Sequence, residues 1–130
     1  MSQSSMASAA VRTFEEPVND VQTIVAESAV QKVLDALDDA DCRGILDVTS
    51  EEALTASEIS EVRDLPLSTT YRKLDLLTEA GLLGELTRIR QSGKHASEYT
   101  RLVHGVAISL GPRGETEVRL SRGENSGQTG

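Results

Sequence analysis

The sequence predicts an α+β fold in which four helices are followed by two β-hairpins. Three observations carry that prediction. Val30, Val33, Leu34 and Leu37 fall at i, i+3, i+4 and i+7, the stripe of an amphipathic helix. Thr55 and Glu58 have the spacing of a capping box, and Pro66 follows as a helix stop. From Glu85 onward the period falls to two, with glycine-bearing polar loops between the runs. A chain of 130 residues is enough for one compact domain and not for two large ones.

The elements follow in order. Residues 1–21 are polar and aperiodic, with Pro17 inside them, and read as a flexible tail. Residues 22–104 read as the main domain, 105–122 as a second hairpin, and 123–130 as a second tail. The first helix is expected from Ser28 to Asp38, with Gln31, Lys32, Asp35 and Asp38 on its outer face. Asp39 to Asp41 break it, and a short helix from Ala40 to Val48 turns Ile45 and Leu46 inward. The third helix starts at the capping box, buries Ile59 and Val62, and stops at Asp64-Leu65-Pro66. Ser68 is a favourable N-cap for the fourth helix, whose inner arc is Leu67, Thr70, Leu74 and Leu77. Gly81 suits the left-handed residue that ends a helix. Residues 85–90 and 98–103 then form one hairpin around a polar loop, and residues 106–110 and 115–120 form another around Gly111-Pro-Arg-Gly114. Thr116, Val118 and Leu120 alternate with Glu115, Glu117 and Arg119, so one face of the last strand is apolar.

Charge is unevenly distributed. The net charge is −8, which by itself points away from nucleic acid. Residues 1–65 hold 4 basic and 14 acidic side chains, whereas residues 66–101 hold 6 and 4. The single net-basic stretch therefore contains the fourth helix and the first hairpin. One cysteine, Cys42, cannot close a disulfide within the chain. No apolar run approaches the ~20 residues of a membrane-spanning helix. Residues 1–11 have neither a basic start nor an apolar stretch and do not read as a signal peptide, so the expected location is the cytoplasm.

Two helices joined by a proline-marked turn and followed by a two-stranded hairpin make a winged helix-turn-helix. The stretch Leu67-Ser-Thr-Thr-Tyr-Arg-Lys-Leu-Asp-Leu-Leu-Thr-Glu-Ala-Gly-Leu-Leu83 resembles the recognition helix of ArsR-like and MarR-like regulators. There, a Ser/Thr start leads through Leu-x-x-Leu to a Gly-Leu exit. The resemblance covers about residues 28–102 and looks closest to small haloarchaeal members in which a second hairpin follows the wing. The composition is similar to that of proteins from salt-loving archaea: many acids, only three lysines (Lys32, Lys73 and Lys94) and few aromatics. An ordinary acidic bacterial protein is the alternative. In molar salt the screening length is only ~3 Å, so both self-repulsion and repulsion from DNA are damped.

The resemblance implies a homodimeric transcription regulator of double-stranded DNA, with about residues 68–80 in the major groove and about 85–103 along the backbone or minor groove. The residue types agree. Ser68 and Thr69 suit phosphate at a helix start, Arg72 suits the O6 and N7 of guanine, and Lys73 suits a phosphate as a point charge. Tyr71 lies on one flank. On the wing, Arg88 and Arg90 share a strand face, Lys94 and His95 stand at the tip, and Arg101 returns on the partner strand. Blander readings stand beside these. Arg72 and Lys73 could pair with Asp75 or Glu79 on a solvated face, and Tyr71 could pack at the core edge. Thr69 could be plain helix-start chemistry, and Arg88 and Arg90 could be charges that keep an edge strand from aggregating.

The residues offer no catalytic constellation, no Gly-rich phosphate loop and no metal-ligand spacing, so neither enzyme activity nor a cofactor is expected. Cys42 reads as a small buried residue, with a single-thiol redox sensor as the other possibility. The expected dimer surface is the helix over 28–38, with the second hairpin as a possible addition, and any small-molecule effector is unknown. The competing function is a winged-helix protein-interaction module that reads no bases. The salt reading predicts that folding or DNA binding is favoured in molar KCl. A denaturation and binding series across KCl concentration checks this, and an optimum at low salt contradicts it.

Overall fold

A computed structural model describes residues 20–89 and 95–122. It contains β1 (Asp20–Ile24), α1 (Glu27–Asp38), α2 (Ala40–Val48), β2 (Leu54–Thr55), α3 (Ala56–Arg63) and α4 (Leu67–Glu79). The strands β3 (Leu83–Ile89), β4 (His95–Arg101), β5 (Gly105–Leu110) and β6 (Thr116–Arg122) follow. The four helices and both hairpins are those the sequence predicts, and the fold is a winged helix-turn-helix with an added C-terminal hairpin.

The helices meet on one core. Val30, Val33 and Ala36 of α1, Cys42, Ile45 and Leu46 of α2, Ile59 of α3, and Leu74 and Leu77 of α4 are all buried together. Asp39 is the joint between α1 and α2. Its backbone is extended, ending α1, and its carboxylate accepts the N–H groups of Asp41 and Cys42 at 2.8 and 3.2 Å, capping α2. The capping box on α3 is formed as predicted: Glu58 N–H donates to Thr55 Oγ1 at 3.2 Å and Thr55 N–H donates to Glu58 Oε1 at 2.9 Å. Gly81 has φ +81°, the left-handed geometry that turns the chain out of α4 and sends Leu82 and Leu83 into the core.

Two sheets flank the helices. One has the order β2-β4-β3 and is the wing; the other has the order β1-β6-β5. The base of the wing is pinned to the helices. Thr49, fully buried after α2, accepts the Arg101 N–H at 3.1 Å, and Leu102 N–H donates to Leu82 O at 2.9 Å. The second sheet packs on α1 through Val118 and Leu120, both fully buried, which matches the predicted alternation of β6.

Several details depart from the sequence reading. Asp20 and Val21, assigned to the tail, open β1, which pairs with β6 from Asp20↔Arg122 to Ile24↔Val118. The two-residue strand β2 was not expected. It pairs Leu54 with Tyr99 and Thr55 with Glu98, and makes β4 the central strand of the wing. β4 begins at His95, inside the expected loop. Ser68 is not an N-cap. Pro66 holds that position with φ −59°, and its carbonyl accepts both the N–H and the hydroxyl of Thr70 at 2.9 and 3.0 Å. Leu67 is 44% exposed in the first turn rather than buried. Val62 is 61% exposed as well. Asp64 adopts φ +56° and reverses the chain, Leu65 N–H bonds back to Ser60 O, and Leu65 takes the inner place expected of Val62. Leu77→Ala is expected to cost about 2–5 kcal/mol in urea unfolding. Val62→Ala should shift stability by less than about 0.5 kcal/mol in the same measurement.

Candidate nucleic-acid interface

The outer side of α4 is the candidate surface. Ser68, Tyr71, Arg72 and Asp75 are exposed along it, and Thr69 is half-buried on its flank. The opposite side is closed by Thr70, Leu74 and Leu77. The helix therefore divides as a groove-inserting helix requires, with its leucines inward and its hydroxyls and guanidinium outward.

Lys73 lies apart from this set. It is half-buried, and its ammonium forms a salt bridge with the Asp39 carboxylate. That hydrogen bond, opposed by partial burial, holds Asp39 below the usual carboxylate range and raises Lys73 above the usual lysine value. Asp39 was missed as a functional position by sequence reasoning. The signal was present, because an Asp directly before Ala40-Asp-Cys42 has the preferred N-cap chemistry.

The wing residues also separate. Register pairs Leu83 with Arg101 and Arg88 with Ala96, so Arg101 and Arg88 project from opposite faces of the sheet. Arg101 stands at the wing base, where its Nε–H donates to Val103 O at 2.6 Å. Arg101 thus lies on the partner strand, as expected, on the opposite face from Arg88. Arg88 reaches diagonally across the hairpin to Glu98, Nη2 to Oε2 at 2.9 Å. Glu98 is buried while Arg88 remains 59% exposed, so the carboxylate fixes the guanidinium and leaves donors facing outward. Only this diagonal register reveals Glu98. Arg90 and Lys94 lie outside the described residues, and His95 opens β4 opposite Ile89.

Between α3, α4 and the wing runs an open cleft of about 770 Å³ lined by Tyr71, Tyr99, Glu58, Glu61 and Glu85, with Ser57 among others. Tyr99 is buried, and its hydroxyl is pushed above its usual value by burial and the nearby Glu85. The three carboxylates give this side of α4 a negative border that the segment charge count hides. Cys42 is fully buried and burial pushes its thiol up to about 11, far from the thiolate a sensor needs. Among the described residues no group of His, Cys, Asp and Glu gathers as metal ligands, and no helix is long and apolar enough to cross a membrane.

The fold defines a winged helix-turn-helix domain. Comparison with protein families agrees: residues 37–84 match the family model described as a helix-turn-helix domain, a span that runs from the end of α1 to the start of β3. No curated protein matches the chain.

The Asp39 joint predicts a contrast. Asp39→Ala removes both the cap and the Lys73 partner and should cost at least about 1 kcal/mol. Asp39→Asn keeps a capping oxygen and should cost less. Because the folded Asp39 value is lowered, its contribution is present above the ordinary aspartate range and lost as pH falls through the folded value. Thermal melts between neutral and acid pH should therefore show a smaller acid-side loss in Asp39→Asn than in the parent. Iodoacetamide should leave Cys42 unmodified in the folded protein at neutral pH and label it in urea, as read by mass spectrometry.

Proposed function

We propose that this protein is a sequence-specific double-stranded DNA-binding regulator of transcription that acts as a homodimer in the cytoplasm. The observation that carries the proposal is the free outer arc of α4, where Ser68, Tyr71 and Arg72 are uncovered by the described chain and stand beside a hairpin bearing an outward Arg88. In this reading α4 enters the major groove, Ser68 and Thr69 sit against a phosphate, and Arg72 reads a guanine through two parallel hydrogen bonds. The wing, through Arg88 and Arg90 on one strand and Lys94 and His95 beyond them, follows the backbone or minor groove. Lys73 serves the interface indirectly, by holding α4 against the start of α2.

The acidic border of the cleft gives the haloarchaeal reading a physical role. Glu58, Glu61 and Glu85 repel phosphates at low ionic strength, and molar salt removes that repulsion beyond a few ångströms. ArsR-like affiliation and a salt-loving source are supported by the motif and composition respectively. The protein-interaction alternative predicts indifference to the α4 arc.

Genome-wide mapping of bound DNA in the native host, with the parent and with Arg72→Ala, tests the proposal. The expected result is a set of discrete sites whose occupancy collapses in the variant, with purified Arg72→Ala binding those sites about 1–3 kcal/mol more weakly. Arg72→Glu should abolish binding while leaving the circular dichroism spectrum unchanged. Binding that is indifferent to both changes supports the interaction-module reading instead.

A further inference from the structure

We propose that β5 is the subunit interface: two copies join edge to edge through antiparallel β5 strands centred on Ile108. The inference rests on the homodimer reading above and moves its interface. The outward face of α1, expected to carry the dimer, is polar: Gln31, Lys32, Asp35 and Asp38 are exposed, and Gln31 Nε2 donates to Asp35 Oδ1 at 2.8 Å. The exposed apolar surface lies elsewhere.

Among the described residues β5 is an edge strand, bonded on one side to β6 and open on the other. Register places Val106, Ile108 and Leu110 opposite Leu120, Val118 and Thr116, on the face that β6 turns toward α1. Val106 is half-buried there, but Ile108 is 51% and Leu110 73% exposed, because the strand overhangs the helix layer. A groove of about 650 Å³ with a mixed lining opens beside them: Val30 and Leu34 of α1 and Thr116, the register partner of Leu110, line it together with Glu27, Arg113 and Glu115.

The composition leaves this edge unguarded. Residues 102–112 contain no Asp, Glu, Lys or Arg, in a protein that is 26% charged. Monomeric proteins guard open edges with charges, prolines or bulges, and β5 has none of these within it. A neutral edge in an acidic protein also suits a second acidic copy, since the closest approach places no like charges together.

Geometry makes the edge self-complementary. Two identical antiparallel strands related by a two-fold axis keep their like faces on the same side of the sheet. Pairing centred on Ile108 sets Ile108 against Ile108 of the partner subunit and Val106 against Leu110 of the partner subunit. The exposed apolar residues then form one continuous ladder, and the two three-stranded sheets become a single sheet of six.

The test uses the full chain without DNA, in molar KCl, by sedimentation equilibrium and oxidative cross-linking. The parent should be dimeric. Ile108→Lys, at a half-exposed position, should keep its circular dichroism spectrum and weaken dimerisation at least tenfold. Ile108→Cys should form a covalent dimer, since directly opposed residues lie within disulfide reach and the single native cysteine is buried. Val21→Cys on the far edge strand should not. Arg72→Ala should remain dimeric while losing DNA, which separates failure of this interface from failure of base reading. A parent that stays monomeric, or a dimer that survives Ile108→Lys and cross-links through Val21→Cys, overturns the proposal.

Discussion

The carboxylate of Asp39 is the contact on which the arrangement of the helices depends. One residue ends α1, caps α2 and holds Lys73 of α4. Three helices thereby meet at a single side chain only partly removed from water. Isolated surface ion pairs contribute little, but this one is joined to a cap, and the cap satisfies backbone donors that α2 cannot satisfy itself. The consequence for the interface is direct. Lys73, turned back into the body, joins the buried Thr70, Leu74 and Leu77 in holding the rotation of α4 that leaves Arg72 outward.

The wing follows the same logic at smaller scale. Arg88 is aimed by Glu98, a buried acid beneath it, and Arg101 closes the wing base instead of extending its surface. Of the described cations in the net-basic stretch, therefore, Lys73 and Arg101 have structural partners, Arg88 is oriented, and Arg72 stands exposed. Among the described residues the outer surface carries fewer free positive charges than the sequence count suggests. Its border of carboxylates makes any association with phosphate depend on the ions around it.

The helices were legible because their signals are local: a 3.6-residue apolar stripe, a capping box, a proline and a glycine at the ends of helices. β1 was not, since five residues of mixed polarity mean little until β6 lies beside them. β2 is too short to leave a pattern at all. At the candidate site, residue types could be read but partners could not. Lys73 and Asp39 are 34 positions apart, and Arg88 finds Glu98 only through hairpin register. That Arg101 and Arg88 fall on opposite faces follows from the hairpin register, which the residues alone do not fix. The neutral run through β5 was visible from the start, yet it acquired meaning only when the strand proved to lie at an edge.

The pairing of Asp20 with Arg122 brings the two ends of the described fold together on adjacent strands. Neighbouring ends are the usual condition for moving a chain's start and finish to a new loop. A short linker could close this ring, and the turn at Gly111–Gly114 would be a natural place to open it. The β1–β6–β5 sheet would then hold a rearranged chain in the same shape, with the helix-turn-helix carried as an uninterrupted insert.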